Sequence, residues 1–149
     1  VTGIELSEKM LEKLREKYPE KRLTLCQGSY IDLPLGETAF DAVVSVQSLH
    51  HFTPERKRGL FERIRRALRP GGIFVLTDFV APNDAIEARC FAEYAALNVQ
   101  EPGVYHFDTP LTAEHDLALM AQAGLDEPAL RWREKNTVVM TAKRRDEDA

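Results

Sequence analysis

Apolar and polar residues along this chain follow two periods, and the period switches several times. Short runs of β-formers with alternating or continuous apolar residues predict strands, and a spacing of three to four residues between apolar positions predicts helices. The strands predicted in this way lie at 1–5, 22–27, 40–46 and 73–79, and the helices at 8–18 and 54–68. Because strands and helices alternate, we expect an α/β fold whose mostly parallel sheet is covered by helices.

The helix boundaries carry their own signals. Ser7 is a good N-cap for the first helix, and Thr53 followed by Pro54 has the same function for the second. The run Arg69-Pro70-Gly71-Gly72 predicts a sharp end to that second helix.

The alternation lapses at 80–108, where we predict one helix at about 84–97 followed by a chain break at Glu101-Pro102-Gly103. Such an insertion at the ends of strands either covers a substrate or caps the core, and the sequence leaves both interpretations open. Tyr94, Tyr105, Phe107 and Trp132 could likewise form an aromatic acceptor wall or belong to the core.

Regular structure resumes with a helix from the N-cap Thr112 to Ala123, ended by Gly124. Strands predicted at 128–133 and 136–143 are too close together for a crossover helix, so they form an antiparallel hairpin. Residues 144–149 read as a charged tail. We interpret residues 1–149 as a single domain.

Composition narrows the possible partners. The formal net charge of −4 gives no argument for nucleic acid, so a small-molecule substrate is the default. Cys26 and Cys90 read as buried free thiols of a reducing compartment, and no His, Cys, Asp or Glu spacing indicates a metal. With no apolar run long enough to cross a bilayer, we expect no membrane partner and a cytoplasmic location.

Polar residues follow four of the predicted strands, and carboxyl ends of parallel strands are where ligands bind in open α/β sheets. They are Glu5, Ser29 with Tyr30, the run Gln47 to His51, and Asp78. An acid such as Glu5 can accept two hydrogen bonds from a ribose diol. Tyr30 could stack on a base, Ser29 could bind its edge and Met10 could pack on its other face.

Two segments with a specific order and spacing, FDAVVSVQSLHHF and LRPGGIFVLTDF, closely resemble class I S-adenosylmethionine-dependent methyltransferases. The N-terminal VTGIELSEKMLEKLREKYP is similar to the same family, and the C-terminal LTAEHDLALMAQAGLDEPALRWREKNTVVMTAKR resembles its final helix and hairpin. The resemblance implies a Rossmann-like sheet and methyl transfer to an O, N or C nucleophile of a small molecule. It also implies S-adenosylmethionine as cofactor and S-adenosylhomocysteine as product.

By this resemblance, Glu5 would hold the ribose hydroxyls, and Leu6 with Met10 would line the adenine. Ser29 and Tyr30 stand where the family usually has Asp followed by a small residue that contacts the adenine amine. Val46 and Gln47 would lie under the sulfonium.

The adjacent His50 and His51 are candidate catalytic bases, since an imidazole beside the methyl donor could take the proton from a hydroxyl or amine. The alternative is structural: one caps the following helix and the other packs.

The family's first strand and glycine-rich loop precede the position where this sequence begins, so we interpret the chain as an N-terminally truncated methyltransferase. The absent strand would lie between the strands at 1–5 and 40–46. Those two strands then either keep open edges or pair directly, and open edges favour a homo-oligomer. A non-catalytic fragment or oligomerisation module that has lost cofactor binding is the alternative function.

Overall fold

The helices and strands follow the order that the sequence predicts. The computed structural model describes residues 1–20, 22–97 and 107–146. The strands are β1 Thr2–Glu5, β2 Thr24–Gln27, β3 Phe40–Val46, β4 Leu68–Phe79, β5 Asp126–Glu134 and β6 Thr137–Lys143. The helices are α1 Glu8–Lys17, α2 Pro54–Ala67, α3 Asp84–Ala96 and α4 Ala113–Gln122, and a short 3-10 turn covers Leu49–His51.

The chain divides into two compact units, Val1–Leu35 and Gly36–Ala149. We call them the N-terminal and C-terminal units. In the N-terminal unit, β1 and β2 pair in parallel with Glu5 opposite Gln27, and α1 connects them. The predicted cap is confirmed, because the Ser7 hydroxyl accepts a hydrogen bond from the Met10 amide.

The C-terminal unit contains a four-stranded sheet in the order β3-β4-β6-β5. β3 and β4 are parallel, whereas β6 pairs antiparallel with both β4 and β5. The mixed sheet and its C-terminal hairpin are therefore confirmed. Among the described residues, β1 pairs with β2 and β3 pairs with β4.

The largest difference from the predicted boundaries is at β4, which begins at Leu68 rather than at 73. Phe40 pairs with Leu68 and Ala42 with Ile73, so the register shifts across the predicted turn. Gly71 has φ of +72°, and a Cβ on Gly72 would lie 2.8 Å from the Arg69 carbonyl oxygen. The two glycines thus form an irregularity within the strand, where sequence alone predicted a turn before it.

The core of the C-terminal unit lies between β4, β6 and the apolar faces of α2 and α4. Helix α2 packs against α4 and β4, and the rings of Phe61 and Phe74 are 5.6 Å apart. Buried side chains at this core include Leu60, Ile64, Leu76, Met120, Val138 and Met140.

Helix α3 confirms the predicted helix in the 80–108 segment, with Asn83 as its N-cap, whereas the predicted break at 101–103 and Tyr105 lie outside the described residues. The Tyr94 and Phe107 rings contact each other edge to face, and Trp132 on β5 is 48% exposed. Cys26 and Cys90 are free thiols, as predicted, but both are half-buried rather than buried. No helix in the described ranges is long and apolar enough to cross a membrane.

Candidate active site

The acid at the end of β1 is fixed by the start of the next helix. The Ser7 amide donates to Glu5 Oε1 at 2.8 Å, and the Gly28 amide donates to the Glu5 carbonyl at 3.0 Å. A carboxylate offers about four acceptor positions, so Glu5 retains the capacity to accept from a diol. The arrangement therefore fits the predicted ribose-binding role.

Two apolar side chains beside this acid face solvent. Leu6 is 69% exposed and Met10, in the first turn of α1, is 57% exposed. Exposed apolar side chains of this kind can pack against the face of a planar base.

Ser29 and Tyr30 follow β2, at the same end of the two-stranded sheet as Glu5. The Ser29 hydroxyl accepts a hydrogen bond from the Ile31 amide at 3.2 Å, and the Ser29 carbonyl accepts from Leu33. The hydroxyl is thus partly used by its own turn, although an oxygen with two lone pairs can still accept from an adenine amine. Tyr30 is half-buried.

In the C-terminal unit, Val46 ends β3 and Gln47 turns the chain. Gln47 has φ of +52°, a left-handed conformation that a residue with a side chain adopts at a cost, and its amide donates to the Thr77 carbonyl at 2.8 Å. Val46 is 60% exposed. A strained turn held by the neighbouring strand is common at functional sites, which agrees with the proposed position of these two residues near the methyl donor.

The turn after Gln47 brings His50 onto the carboxylate that ends β4. His50 Nδ1 lies 2.6 Å from Asp78 Oδ1, and Asp78 is fully buried. The Leu49 and Phe79 amides also donate to Asp78, each at 2.9 Å. When His50 Nδ1 donates its proton in a hydrogen bond to Asp78 Oδ1, Nε2 is the acceptor of the neutral ring.

Asp78 also changes the proton affinity of His50. The hydrogen bond to Asp78 raises the pKa of His50 above its usual value, although partial burial of the ring opposes this. An imidazole made more basic by a buried carboxylate is suited to take a proton from a substrate.

Thr53 is the N-cap residue of helix α2, and His51 lies beside Asp108. His51 Nδ1 lies 3.1 Å from Asp108 Oδ1, and the His50 and His51 ring centroids are 4.0 Å apart. Asp108 is held close to both because the Thr109 amide donates to the His50 carbonyl at 2.8 Å. The histidine pair therefore has two acidic neighbours, one buried and one exposed.

A buried ion pair lies in the same unit. Lys57 Nζ is 2.9 Å from Asp116 Oδ1, and both side chains are fully buried. Burial raises the pKa of Asp116, while Lys57 opposes the rise. The charge of Lys57 also lowers the proton affinity of His50, so this pair influences the histidine.

Sequence reasoning missed Lys57, Asp108 and Asp116. Lys57 had a readable signal, because it falls in helical register with the buried Leu60, Phe61 and Ile64. Asp108 and Asp116 had none, since each meets its partner only through a contact 57 to 59 residues away in the chain.

A family model described as "Methyltransferase domain" matches residues 1–76. The chain belongs to this family. The family's class is that of the S-adenosylmethionine-dependent methyltransferases, as the sequence segments indicated.

Curated relatives and solved structures that resemble this chain include methyltransferases. An uncharacterised methyltransferase from Synechocystis sp. is 37% identical over 84 residues, which cover 56% of this chain and 39% of that protein. The O-methyltransferase cnsE from Penicillium expansum is 31% identical over 129 residues, which cover 83% of this chain and 43% of that protein. A solved SAM-dependent methyltransferase from Methanosarcina mazei matches 99% of this chain and 82% of its own with a TM-score of 0.74 at 13% identity, which shows the shared Rossmann-like fold.

The chain spans about two fifths of the length of these two curated relatives. S-adenosylmethionine is the cofactor of the family, as predicted. The chemical groups of these residues suit its ribose and adenine. Glu5 and Ser29 offer acceptor oxygens, and Leu6 with Met10 offers exposed apolar side chains.

Proposed function

We propose that this chain carries cofactor-binding and acceptor-activating residues of an enzyme that methylates an O, N or C nucleophile of a small molecule. S-adenosylmethionine supplies an electrophilic methyl group bonded to a sulfonium. The hydrogen-bonded pair of His50 and Asp78 is the observation that carries the proposal, because it supplies a base where the acceptor must lose a proton.

With S-adenosylmethionine bound, the acceptor's nucleophilic atom would displace the sulfur at the methyl carbon, and S-adenosylhomocysteine would be the product. The acceptor's proton passes to His50 Nε2. Asp78 keeps the ring in the tautomer that leaves this nitrogen unprotonated and stabilises the imidazolium that forms. A hydroxyl acceptor is favoured, because it needs such a base and because the relative cnsE is named an O-methyltransferase.

We assign the cofactor contacts residue by residue. Glu5 accepts from the ribose hydroxyls, and Leu6 with Met10 packs on the adenine. Ser29 and Tyr30 contact the adenine edge and face, and Val46 with Gln47 lies near the methionyl part. Of these residues, Glu5 should contribute most to cofactor affinity, because charge-assisted hydrogen bonds are stronger than apolar contacts at exposed positions.

A cytoplasmic location and a homo-oligomer are further parts of the proposal. β3 is the outer strand of its sheet, and Val44 and Val46 on it are 63% and 60% exposed. An open edge with exposed apolar side chains favours pairing with a second copy. A monodisperse monomer in light scattering would contradict this association.

Two pairs of variants test the catalytic and cofactor assignments separately. For binding, S-adenosylhomocysteine is titrated calorimetrically into the chain, into Glu5→Gln and into Glu12→Gln. We expect Glu5→Gln to bind about 10–100-fold more weakly, the equivalent of a lost hydrogen bond to a charged group. Glu12 is an exposed acid on α1 with the same charge, so its variant should bind like the parent.

For turnover, formation of S-adenosylhomocysteine is measured with a panel of phenols and alcohols. We expect His50→Ala to be about 10²–10⁴-fold slower and His115→Ala, a second carboxylate-bound histidine of the C-terminal unit, to be unchanged. Full activity of His50→Ala would refute the base. Failure of the parent chain to bind S-adenosylhomocysteine would instead favour the non-catalytic module.

A further inference from the structure

The histidine pair and Asp108 together have the composition of a metal site. His50, His51 and Asp108 each offer one ligand atom, and these atoms all lie within 4.8 Å of one another. It is the one such group of three in the part of the chain that the structure describes. Two imidazoles and a carboxylate are ligands that first-row transition metals such as zinc accept.

The proton positions on His50 suit coordination. Asp78 accepts the Nδ1 proton at 2.6 Å, so the Nε2 lone pair is available for a cation. Metal-binding histidines in proteins almost always donate their other ring nitrogen to a carboxylate or carbonyl, which fixes the ring and strengthens the ligand. Asp78, held by the Leu49 and Phe79 amides, provides such a contact.

Two of the three ligand separations can be compared with the spacing around a small tetrahedral ion. Asp108 Oδ1 lies 3.1 Å from His51 Nδ1 and 3.8 Å from His50 Nε2. Two ligands at about 2.0–2.1 Å from a tetrahedral zinc are roughly 3.3 Å apart, so the shorter separation is close to that spacing and the longer one exceeds it by about half an ångström.

The backbone keeps the third ligand near the histidines without burying it. The Thr109 amide donates to the His50 carbonyl at 2.8 Å, which places Asp108 beside the 3-10 turn. The Asp108 side chain is 61% exposed, whereas that of His50 is 12% exposed. A cation there would have one largely covered ligand, His50, and one exposed ligand, Asp108.

We propose that His50 Nε2, His51 Nδ1 and the Asp108 carboxylate bind a divalent transition-metal ion of zinc-like ligand preference, with the fourth position open. The ion and an acceptor's proton use the same Nε2 lone pair, so the metal-bound chain cannot use His50 as a base. Cation binding does not require methyl transfer, and the proposal therefore stands or fails independently of the proposed reaction.

The test is a titration of the metal-free chain with Co²⁺, without cofactor or acceptor, followed by visible absorption. We expect one ion per chain with the absorption of a four-coordinate site, and displacement by Zn²⁺. His51→Ala and Asp108→Asn should each weaken binding by at least about tenfold, the effect typical of losing a contact at a metal site. His115→Ala is the matched control and should bind like the parent.

Both test variants change partly exposed side chains, and circular dichroism checks that each remains folded. Binding that is unaffected by His51→Ala and Asp108→Asn would overturn the proposal. So would strong ultraviolet charge-transfer bands, since these would assign the ion to Cys26 or Cys90 instead.

Discussion

Glu5 at the end of β1 and the histidine cluster after β3 both follow the ends of strands. Neighbouring residues hold Glu5 in place, whereas residues far away in the sequence hold the histidine cluster. Glu5 is fixed by an amide two residues away, and Ser29 likewise accepts from an amide two residues away. His50 instead depends on Asp78, 28 residues distant, and on Thr109, 59 residues distant. The first group is a product of local turns, whereas the second exists only when the C-terminal unit is packed.

This difference predicts how each group responds to damage. A change in the core of the C-terminal unit should disturb the histidine cluster, while the acid at the end of β1 should respond mainly to its own helix cap. Variants in each of the two units test this contrast.

Removing Lys57 should have the largest effect on stability. Lys57→Met leaves Asp116 buried without its cation, and breaking a buried pair in this way costs about 3–5 kcal/mol of unfolding free energy. Urea unfolding measures the loss. Trp132, the single tryptophan of the sequence, lies in the C-terminal unit and reports on it by fluorescence.

The double variant Lys57→Met with Asp116→Leu is the control. Replacing both charges by apolar groups of similar volume is often neutral or stabilising, so we expect most of the lost stability to return. If Lys57→Met alone were as stable as the parent, the pair would not be holding α2 against α4.

The same contrast explains what could be predicted from the sequence. Periodicity found the main elements, because caps such as Ser7 and Thr112 and the buried stripe of α2 are encoded within a few residues. The predicted start of β4 was wrong. Pro70 and the glycines predict a turn, whereas pairing with β3 continues the strand across them.

For the candidate site, residues at strand ends could be found because parallel strands bring their carboxyl ends to one edge. The hydrogen bond between His50 and Asp78 could not be inferred from spacing, nor could the approach of Asp108. The first depends on how the 3-10 turn after β3 meets the end of β4, and the second depends on the path of the chain after β4. Such polar contacts between residues distant in the sequence are visible only in a three-dimensional structure.

Removing a helix cap should have an intermediate effect on stability, and each unit has one such cap. Ser7→Ala removes the hydroxyl that accepts from the exposed Met10 amide, and Thr112→Ala removes the one that accepts from His115 in a nearly buried cap. Loss of an N-cap costs about 0.5–2 kcal/mol. We expect Thr112→Ala near the upper end of this range and Ser7→Ala near the lower end.

The readout must separate the two units. Thr112→Ala should shift the urea transition of Trp132 fluorescence, whereas Ser7→Ala should leave that transition in place and lower only the helical signal at low urea. A shift of the Trp132 transition by Ser7→Ala would mean that the two caps are not independent.

The smallest effect concerns His115, which links α3 to α4. His115 Nδ1 lies 2.8 Å from Glu87 Oε1, and this hydrogen bond raises the pKa of His115, with Asp84 and Glu114 adding to the rise. In Glu87→Gln we expect the pKa to fall towards 6.5, as measured by NMR titration of the ring. Glu93→Gln, an exposed acid on the same helix, should leave it unchanged.

The pH dependence of stability follows from the direction of that pKa change. A raised folded-state pKa means that protonated His115 stabilises the fold below pH 6.5, and that this contribution is lost as the pH rises through the folded-state value. Because His115 is half-exposed, the contribution is less than about 1 kcal/mol. Glu87→Gln should therefore destabilise the chain at pH 5.5 and have little effect at pH 9. The Gln side-chain carbonyl can still accept from the Thr112 amide, so an equal loss at both values would show that this backbone contact, not the charge, is what Glu87 provides.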